Sequence, residues 1–466
     1  MGGLEADGLS LTAPLTMTAK PPAAETPAQR LTESPGAAAL RARAHAAIPG
    51  GAHTYAKGDD QYPVGAPAFI ARGRGCHVWD LDGREFVEYG MGLRSVTLGH
   101  AHPAVVEAAQ AALRHGSNFS RPSPLEVECA ERLLGLIAGA DMAKFSKNGS
   151  DATTAAVKLA RAHTGRDLVA LCRDQPFFSM DDWFIGSTAM PAGVPQSARA
   201  MTLTFAFNDV ASVEALFRRH PGQIACLMLE PAALHEPAPG FLADLRRLCD
   251  AEGTVLIFDE TITGFRWHLG GAQHVYGVVP DLAVFGKAMA NGFSVSALVG
   301  KRALMERGGL RTDQERVFLL STTHGAETHA LAAAIETMRI YEREGVVEVL
   351  HRQGARLKAG IEDVARQQGV GEHFRVLGRD CNLVYEARDS GGKPSQAFRT
   401  LVLQEAIKRG VLIPSLVVSF AHADADVDRT IEVVGEALRV YRQALDGGIE
   451  RFLEGRPVQP VFRPRN

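Results

Sequence analysis

At 466 residues, 46% hydrophobic and 22% charged, the chain has the composition of a soluble globular protein with room for two or three packed lobes. Its formal net charge of −3 excludes the basic footprint expected of a partner for nucleic acid or an anionic membrane. No apolar run approaches the roughly 20 residues needed to cross a bilayer. The six scattered cysteines (Cys76, Cys129, Cys172, Cys226, Cys249, Cys381) show neither CxxC nor metal-ligand spacing, the pattern of reduced thiols in a cytoplasmic protein.

Residues 1–36 are rich in Ala, Pro and Thr, without apolar periodicity or the features of a secretory signal, and are expected to form a disordered tail. "GCHVWDLDGREFVEYG" then reads as an antiparallel hairpin turning at Asp82-Gly83. His100 and His102 in "LGHAHP" could suggest a metal pair, but a structural turn is the preferred reading, and no metal is assigned. "AKFSKNGSDATTAAVKLARAHTG" supplies a strand, a turn at Asn148-Gly149-Ser150 and a helix to about His163. Further on, "VEALFRRHPGQIACLMLEP" gives a helix and a strand over Ile224–Leu229. "FLADLRRLCDAEGTVLIFDE" repeats this, with a stop at Gly253 and a strand over Thr254–Phe258. "DLAVFG" adds a strand over Leu282–Phe285. Continuous apolar strands alternating with helices predict an α/β fold with a mostly parallel sheet buried on both faces. From about Leu331 helical patterns dominate, with "VLGRDCNLVYEAR" as one strand. Residues 456–466 look like a second loose tail. The expected domains are a large α/β unit over 91–330 and a smaller α+β unit built from 37–90 and 331–455.

Ligands of such sheets collect at the carboxyl ends of the strands, where Glu230, Asp259 and Lys287 all fall. "VLIFDE" could serve a phosphate-loop ATPase, but no GxxxxGK[ST] accompanies it, and no GxGxxG follows a strand. A buried carboxylate requires a cation, and a buried lysine requires a way to lose its charge. Pyridoxal 5′-phosphate (PLP) meets both demands: its aldehyde condenses with the lysine amine to a Schiff base, and its protonated ring nitrogen pairs with the carboxylate. A plain Asp259–Lys287 salt bridge would explain the spacing equally well. Gly149, Ser150 and the following helix N-terminus suit a phosphate, and they also suit an ordinary capped helix, with Asn148 and Asp151 as caps.

Taken in order, "KNGSDAT", "LIFDETITGFR", "VFGKAMANG" and "STTHGAETHALAAA" resemble the class III PLP-dependent aminotransferases of fold type I. The chain looks most like the glutamate-1-semialdehyde aminomutase branch. Family-like segments extend from about Ile48 to Leu445. The resemblance implies that Lys287 forms the Schiff base and that Asp259 faces the pyridine nitrogen. It also implies that Gly149, Ser150 and Glu230 belong to the cofactor site, with Phe177 stacked on the ring. Thr323 would reach the phosphate from the neighbouring subunit of a homodimer with shared active sites, Thr322 being the alternative. Departures occur at "FFS" (Phe177–Ser179), where the family usually has Tyr-His-Gly, at Ala52–Asp60, and just after Lys287. Because they fall around the expected substrate pocket, they favour an aminotransferase moving nitrogen from an amino-acid donor, glutamate or glutamine, to an aldehyde or ketone acceptor such as a sugar. A 2,1-aminomutase and a catalytically silent PLP-binding protein are the alternatives. His53, Tyr55 and Arg94 are candidate substrate contacts. Arg266 could hold a carboxylate or serve structure, and Trp183 and Trp267 read as packing residues.

Overall fold

A computed structural model describes residues 33–463. The strands in chain order are β1 (Ile70–Arg74), β2 (His77–Asp80), β3 (Glu85–Glu88), β4 (Met142–Ser146), β5 (Leu168–Cys172), β6 (Thr202–Phe205) and β7 (Ile224–Leu229). They continue with β8 (Val255–Asp259), β9 (Leu282–Phe285), β10 (Ser296–Gly300), β11 (Phe374–Leu377), β12 (Val384–Ala387) and β13 (Val411–Leu412). Seven of them form one sheet in the order β4-β10-β9-β8-β7-β5-β6. Only β10 runs against the rest, antiparallel to both β4 and β9. Every residue of β7, β8, β9 and β10 is buried, which is why these segments read as unbroken apolar runs. Burying one such side chain stabilises the fold by about 1.5–3 kcal/mol.

Helices cover the faces of this sheet. Gly149–Thr164 packs against β7, β9 and β10, and presents Ala152, Ala155, Ala156, Leu159 and Ala160 to the core. Its small residues let the helix lie close to the strands. Phe241–Glu252 ends where Gly253 turns left-handed (φ 61°), releasing the chain directly into β8.

A second sheet, β1-β2-β3-β13, joins strands from opposite ends of the chain, with β13 parallel to β3. The hairpin expected at Asp82-Gly83 is present, and the Asp80 carboxylate receives the N–H groups of Asp82 and Arg84. Three expectations need correction. "VLGRDCNLVYEAR" is a two-stranded hairpin, β11 and β12, because Gly378 turns left-handed (φ 93°) and Asp380–Asn382 coils into a short 3-10 turn. The N-terminal tail, most of which lies outside the described residues, gives way before Gly36 to the helix Pro35–Ala47, with Ser34 as its cap. The C-terminal segment is docked through Pro460: Val458 is buried, its N–H donates to Thr400 Oγ1, and Gln459 N–H donates to Asp60 O.

Candidate active site

The carboxyl edge of the large sheet gathers the titratable residues. Glu230 follows β7, Asp259 ends β8, and Lys287 lies two residues beyond β9. Because β8 pairs in parallel with both neighbours, Glu230 falls beside Asp259, and Lys287 lies three residues beyond Val284, the partner of Asp259, at the same edge. Lys287 adopts a left-handed backbone (φ 45°), which for a residue with a Cβ costs about 1–2 kcal/mol. Strain of this kind is retained where the surroundings impose it, commonly at functional sites. Gln175 fixes the Glu230 backbone from both sides: it accepts the Glu230 N–H at 2.8 Å and donates to the Glu230 carbonyl at 2.6 Å.

Burial dominates the electrostatics. It lowers the Lys287 ammonium from its ordinary range, against the pull of Glu230 and Asp259. It raises Glu230, with the Asp259 charge acting in the same direction. Asp259 is also raised by burial, although the Thr261 N–H donates to its Oδ1 at 3.0 Å. Among the described residues no ion pair joins Asp259 to Lys287, so the simple salt bridge is not what holds them. The carboxylate therefore stands ready for a different cation, and the amine is biased towards its neutral, nucleophilic form.

The helix Gly149–Thr164 points its N-terminus at the same region. Asn148 and Asp151 form a reciprocal capping box, each side chain accepting the other's backbone N–H. Ser150 is buried, and its Oγ accepts the Met180 N–H at 3.2 Å. A Cβ on Gly149 would come within 3.3 Å of the buried Thr261 Oγ1. A close-approach glycine, a buried hydroxyl and a helix N-terminus make a cradle suited to a phosphate. The residues present thus fit PLP at both ends.

A cavity of about 610 Å³ opens beside these groups, lined by Arg94, Gln175, Glu230, Ile262, His235 and Asn382 among others. Of the expected substrate contacts only Arg94 borders it. His53 and Tyr55 lie on an exposed segment of short 3-10 turns, Tyr55 being 62% exposed, and within one chain they do not reach this cavity. Phe177 is half-exposed, edge-on to Phe184 at 5.7 Å, and lies outside the cavity wall. Phe178 is buried in the core, again edge-on to Phe184. It does not border this cavity. Thr323 is exposed, its carbonyl receiving Asn118 Nδ2, and Thr322 is exposed beside it.

Arg266 is structural. It is fully buried and donates to the carbonyls of Arg94 and Cys381 and to Thr97 Oγ1. Trp183 and Trp267 are packed as expected. His100 pairs with Glu88 through Nε2 at 2.9 Å, while burial lowers His102. Among the described residues, the group with metal-ligand chemistry is Cys76, His77 and Asp426. There the Asp426 carboxylate, which caps the helix Asp424–Gly447, receives the Cys76 thiol and pairs with the His77 ring. Sequence reasoning missed Gln175, Asn208, His235, Ile262 and Asn382. The first two follow the ends of β5 and β6, so the carboxyl-edge rule would have reached them had those strands been recognised.

A carboxylate ending one strand and a lysine just past the end of its parallel neighbour, beside a helix N-terminus at the edge of a largely parallel seven-stranded sheet, define the PLP-dependent fold type I class. The family model "Aminotransferase class-III" matches residues 56–425, and the chain belongs to that family; its cofactor is PLP. It is 34% identical to the glutamate-1-semialdehyde 2,1-aminomutase of Roseiflexus castenholzii (strain DSM 13941 / HLO8), over 82% of this chain and 93% of that one. The Desulfitobacterium hafniense (strain DSM 10664 / DCB-2) protein of the same name is 33% identical, over 80% and 91%. Among solved structures, the PLP internal aldimine form of the FumI protein from Sphingopyxis sp. MTA144 matches with a TM-score of 0.81 at 29% identity, covering 88% of this chain and 97% of that one. An omega-transaminase from Sphaerobacter thermophilus gives 0.79 at 28%, covering 88% and 98%.

Proposed function

We propose that this enzyme moves an amino group between carbon atoms of small carbonyl and amino compounds, with Lys287 as the residue that carries PLP and shuttles the proton. The observation that carries the reading is the juxtaposition of Asp259 at the end of β8 and Lys287 just beyond β9, unpaired with each other and near the Gly149-Ser150 helix start. Bound PLP supplies an aldehyde that condenses with amines and a ring that accepts electrons when a bond to the substrate α-carbon breaks. Asp259 would hold the ring nitrogen in its protonated state. Gly149, Ser150 and Thr261 would hold the phosphate, and Glu230 lies at the cavity floor beside them. Lys287 Nζ takes the proton from the substrate α-carbon and returns it to the neighbouring reacting carbon. General acid–base catalysis of this kind contributes roughly 10²–10⁴ in rate.

The curated relatives favour an internal 2,1-shift on a glutamate-1-semialdehyde type of substrate over transfer from an external donor. Within one chain, Phe178 and the Ala52–Asp60 segment lie outside the cavity beside Glu230, and Ala52, Lys57, Gly58 and Asp59 line a separate cavity of about 770 Å³. External-donor transfer to an aldehyde, ketone or sugar acceptor is the second reading, supported by the omega-transaminase among the similar structures. The two readings separate when glutamate-1-semialdehyde is supplied with no amino donor. Rapid formation of 5-aminolevulinate supports the shift. Its absence, together with conversion of the cofactor spectrum by glutamate or glutamine, supports external transfer.

Three further elements belong to this proposal. The chain works as a homodimer in which Thr323, exposed on its own subunit, completes the phosphate site of the other. His53, Tyr55 and Phe177 would meet substrate or cofactor only once the second subunit and PLP are in place. The domain division at 90/91 and 330/331 is supported by the way β1–β3 and β13 share one sheet while β4–β10 form the other.

A further inference from the structure

Arg94 is held unusually firmly and yet has nothing to hold. It ends a run of four left-handed residues, Met91, Gly92, Leu93 and Arg94, with φ of 43°, 56°, 57° and 72°. Three of the four carry a Cβ, so the turn is strained and must be imposed by its surroundings. The fully buried Arg266 supplies that constraint: it donates to the Arg94 carbonyl at 3.0 Å, and also to the Cys381 carbonyl on the 3-10 turn Asp380–Asn382. The next residue on that turn, Asn382, accepts Arg94 Nε through its Oδ1 at 2.8 Å. The guanidinium is thereby fixed by its backbone and by one edge. Among the described residues its two Nη nitrogens have no hydrogen-bond or ion-pair partner, and Arg94 lines the cavity of about 610 Å³ that also contains Glu230.

The charge nearest the Arg94 fork favours an anion, while the second carboxylate of the lining, Asp174, is exposed and already accepts the Phe207 N–H. Burial lowers the Arg94 guanidinium to about 10, and the neighbouring Arg266 cation acts in the same direction. Two guanidiniums thus share this corner. The carboxyl facing them, Glu230, is itself raised by burial and by Asp259, so it holds its proton more readily than an exposed glutamate and neutralises Arg94 less. A fixed fork of free N–H donors in a partly dry cavity matches a planar carboxylate with two parallel hydrogen bonds, a geometry an ammonium does not reproduce.

We propose that Arg94 is the specificity-determining residue of this site, its two Nη groups binding a carboxylate of the substrate, so that the enzyme selects amino or oxo acids over amines and aldehydes lacking that group. Asn382 and Arg266 are positioning residues for it. This rests on the cavity beside Lys287 being the substrate site, and it applies equally to the internal shift and to external transfer.

The test measures binding and turnover separately. Calorimetry on the PLP-loaded enzyme should show the unreactive dicarboxylate glutarate binding at least about 10²-fold more tightly than its diamide, glutaramide, which needs no variant. Glutarate binding should fall by a similar factor in Arg94→Gln and recover in part in Arg94→Lys, because truncating one partner of a buried charged pair typically has an effect of this size or larger. In turnover, Arg94→Gln should act mainly through KM and collapse the ratio of kcat/KM for a carboxylate-bearing substrate to that for a matched compound without one. Equal affinity for glutarate and glutaramide, or an acid-to-neutral ratio unchanged in a folded, PLP-retaining Arg94→Gln, would overturn the assignment. If the wild type binds glutarate selectively through Arg94 but transfers no amino group, the carboxylate site stands and the catalytic reading falls.

Discussion

Asp259 and Arg266 are both buried and charged, yet they do opposite work, and substitution should separate them. Asp259 is held by Thr261, whose N–H donates to its Oδ1, and no ion pair to Lys287 holds it among the described residues. Asp259→Asn is therefore expected to fold and to keep PLP through the phosphate cradle, while transfer slows by at least about 10²-fold, the usual cost of losing one electrostatic stabiliser of a reacting centre. Cofactor content and single-turnover rates measured together check this, and an unchanged rate would remove Asp259 from the mechanism. Arg266 spends its donors on Arg94, Cys381 and Thr97. Arg266→Met should cost about 3 kcal/mol or more in denaturant unfolding, because it strands two buried carbonyls. The substrate carboxylate that the sequence allowed for Arg266 is assigned by our proposal to Arg94, one contact away. Only the folded chain shows the exchange, since Arg94 and Arg266 are 172 positions apart.

At the scale of elements, the central strands were legible because burial on both faces leaves a continuous apolar run. Leu282–Phe285 and Ile224–Leu229 were placed at their observed ends, and Thr254–Phe258 was one residue early at each end. The strand ends then located Glu230, Asp259 and Lys287. What the sequence hid was long-range. β13 has only two residues and exists because β3 lies beside it. The β11–β12 turn depends on Gly378, and the left-handed run at Met91–Arg94 carries no local signature. His53 and Tyr55 looked like pocket residues by analogy, but they sit on a surface segment whose course no periodicity reveals. The helix Gly149–Thr164 was legible through its Asn148–Asp151 cap, which gives a test at this scale. Asn148→Ala should lower stability by about 1 kcal/mol, as the loss of a good N-cap does. It should also weaken PLP retention, because the same helix start forms the phosphate cradle; a stability loss with unchanged PLP affinity would separate the two roles.

For the whole molecule, acid stability reports how the small sheet and the C-terminal helix are joined. His422 is buried against Tyr89 of the small sheet, with ring centroids 4.4 Å apart, and its Nδ1 accepts the Ser419 N–H. Burial lowers it to about 4, with the Asp426 charge opposing and His77 assisting. Unfolded, it takes up its proton near 6.5. Between these values the unfolded chain binds a proton that the native state refuses, so stability is lost as pH falls through that window, by about 3 kcal/mol for this one group. Urea unfolding at pH 7 and pH 4.5 should show a steeper acid loss in the wild type than in His422→Gln, and parallel losses would contradict the assignment.

The central claim is that Lys287 carries the cofactor, and one measurement reaches it directly. Borohydride reduction of the PLP-loaded enzyme, followed by proteolysis and mass spectrometry, should find the pyridoxyl group on the peptide containing Lys287. The group should be absent from Lys287→Ala, even though that variant still retains PLP through the phosphate cradle. A label on any other lysine, or an unlabelled Lys287 in enzyme that transfers amino groups, would contradict the account.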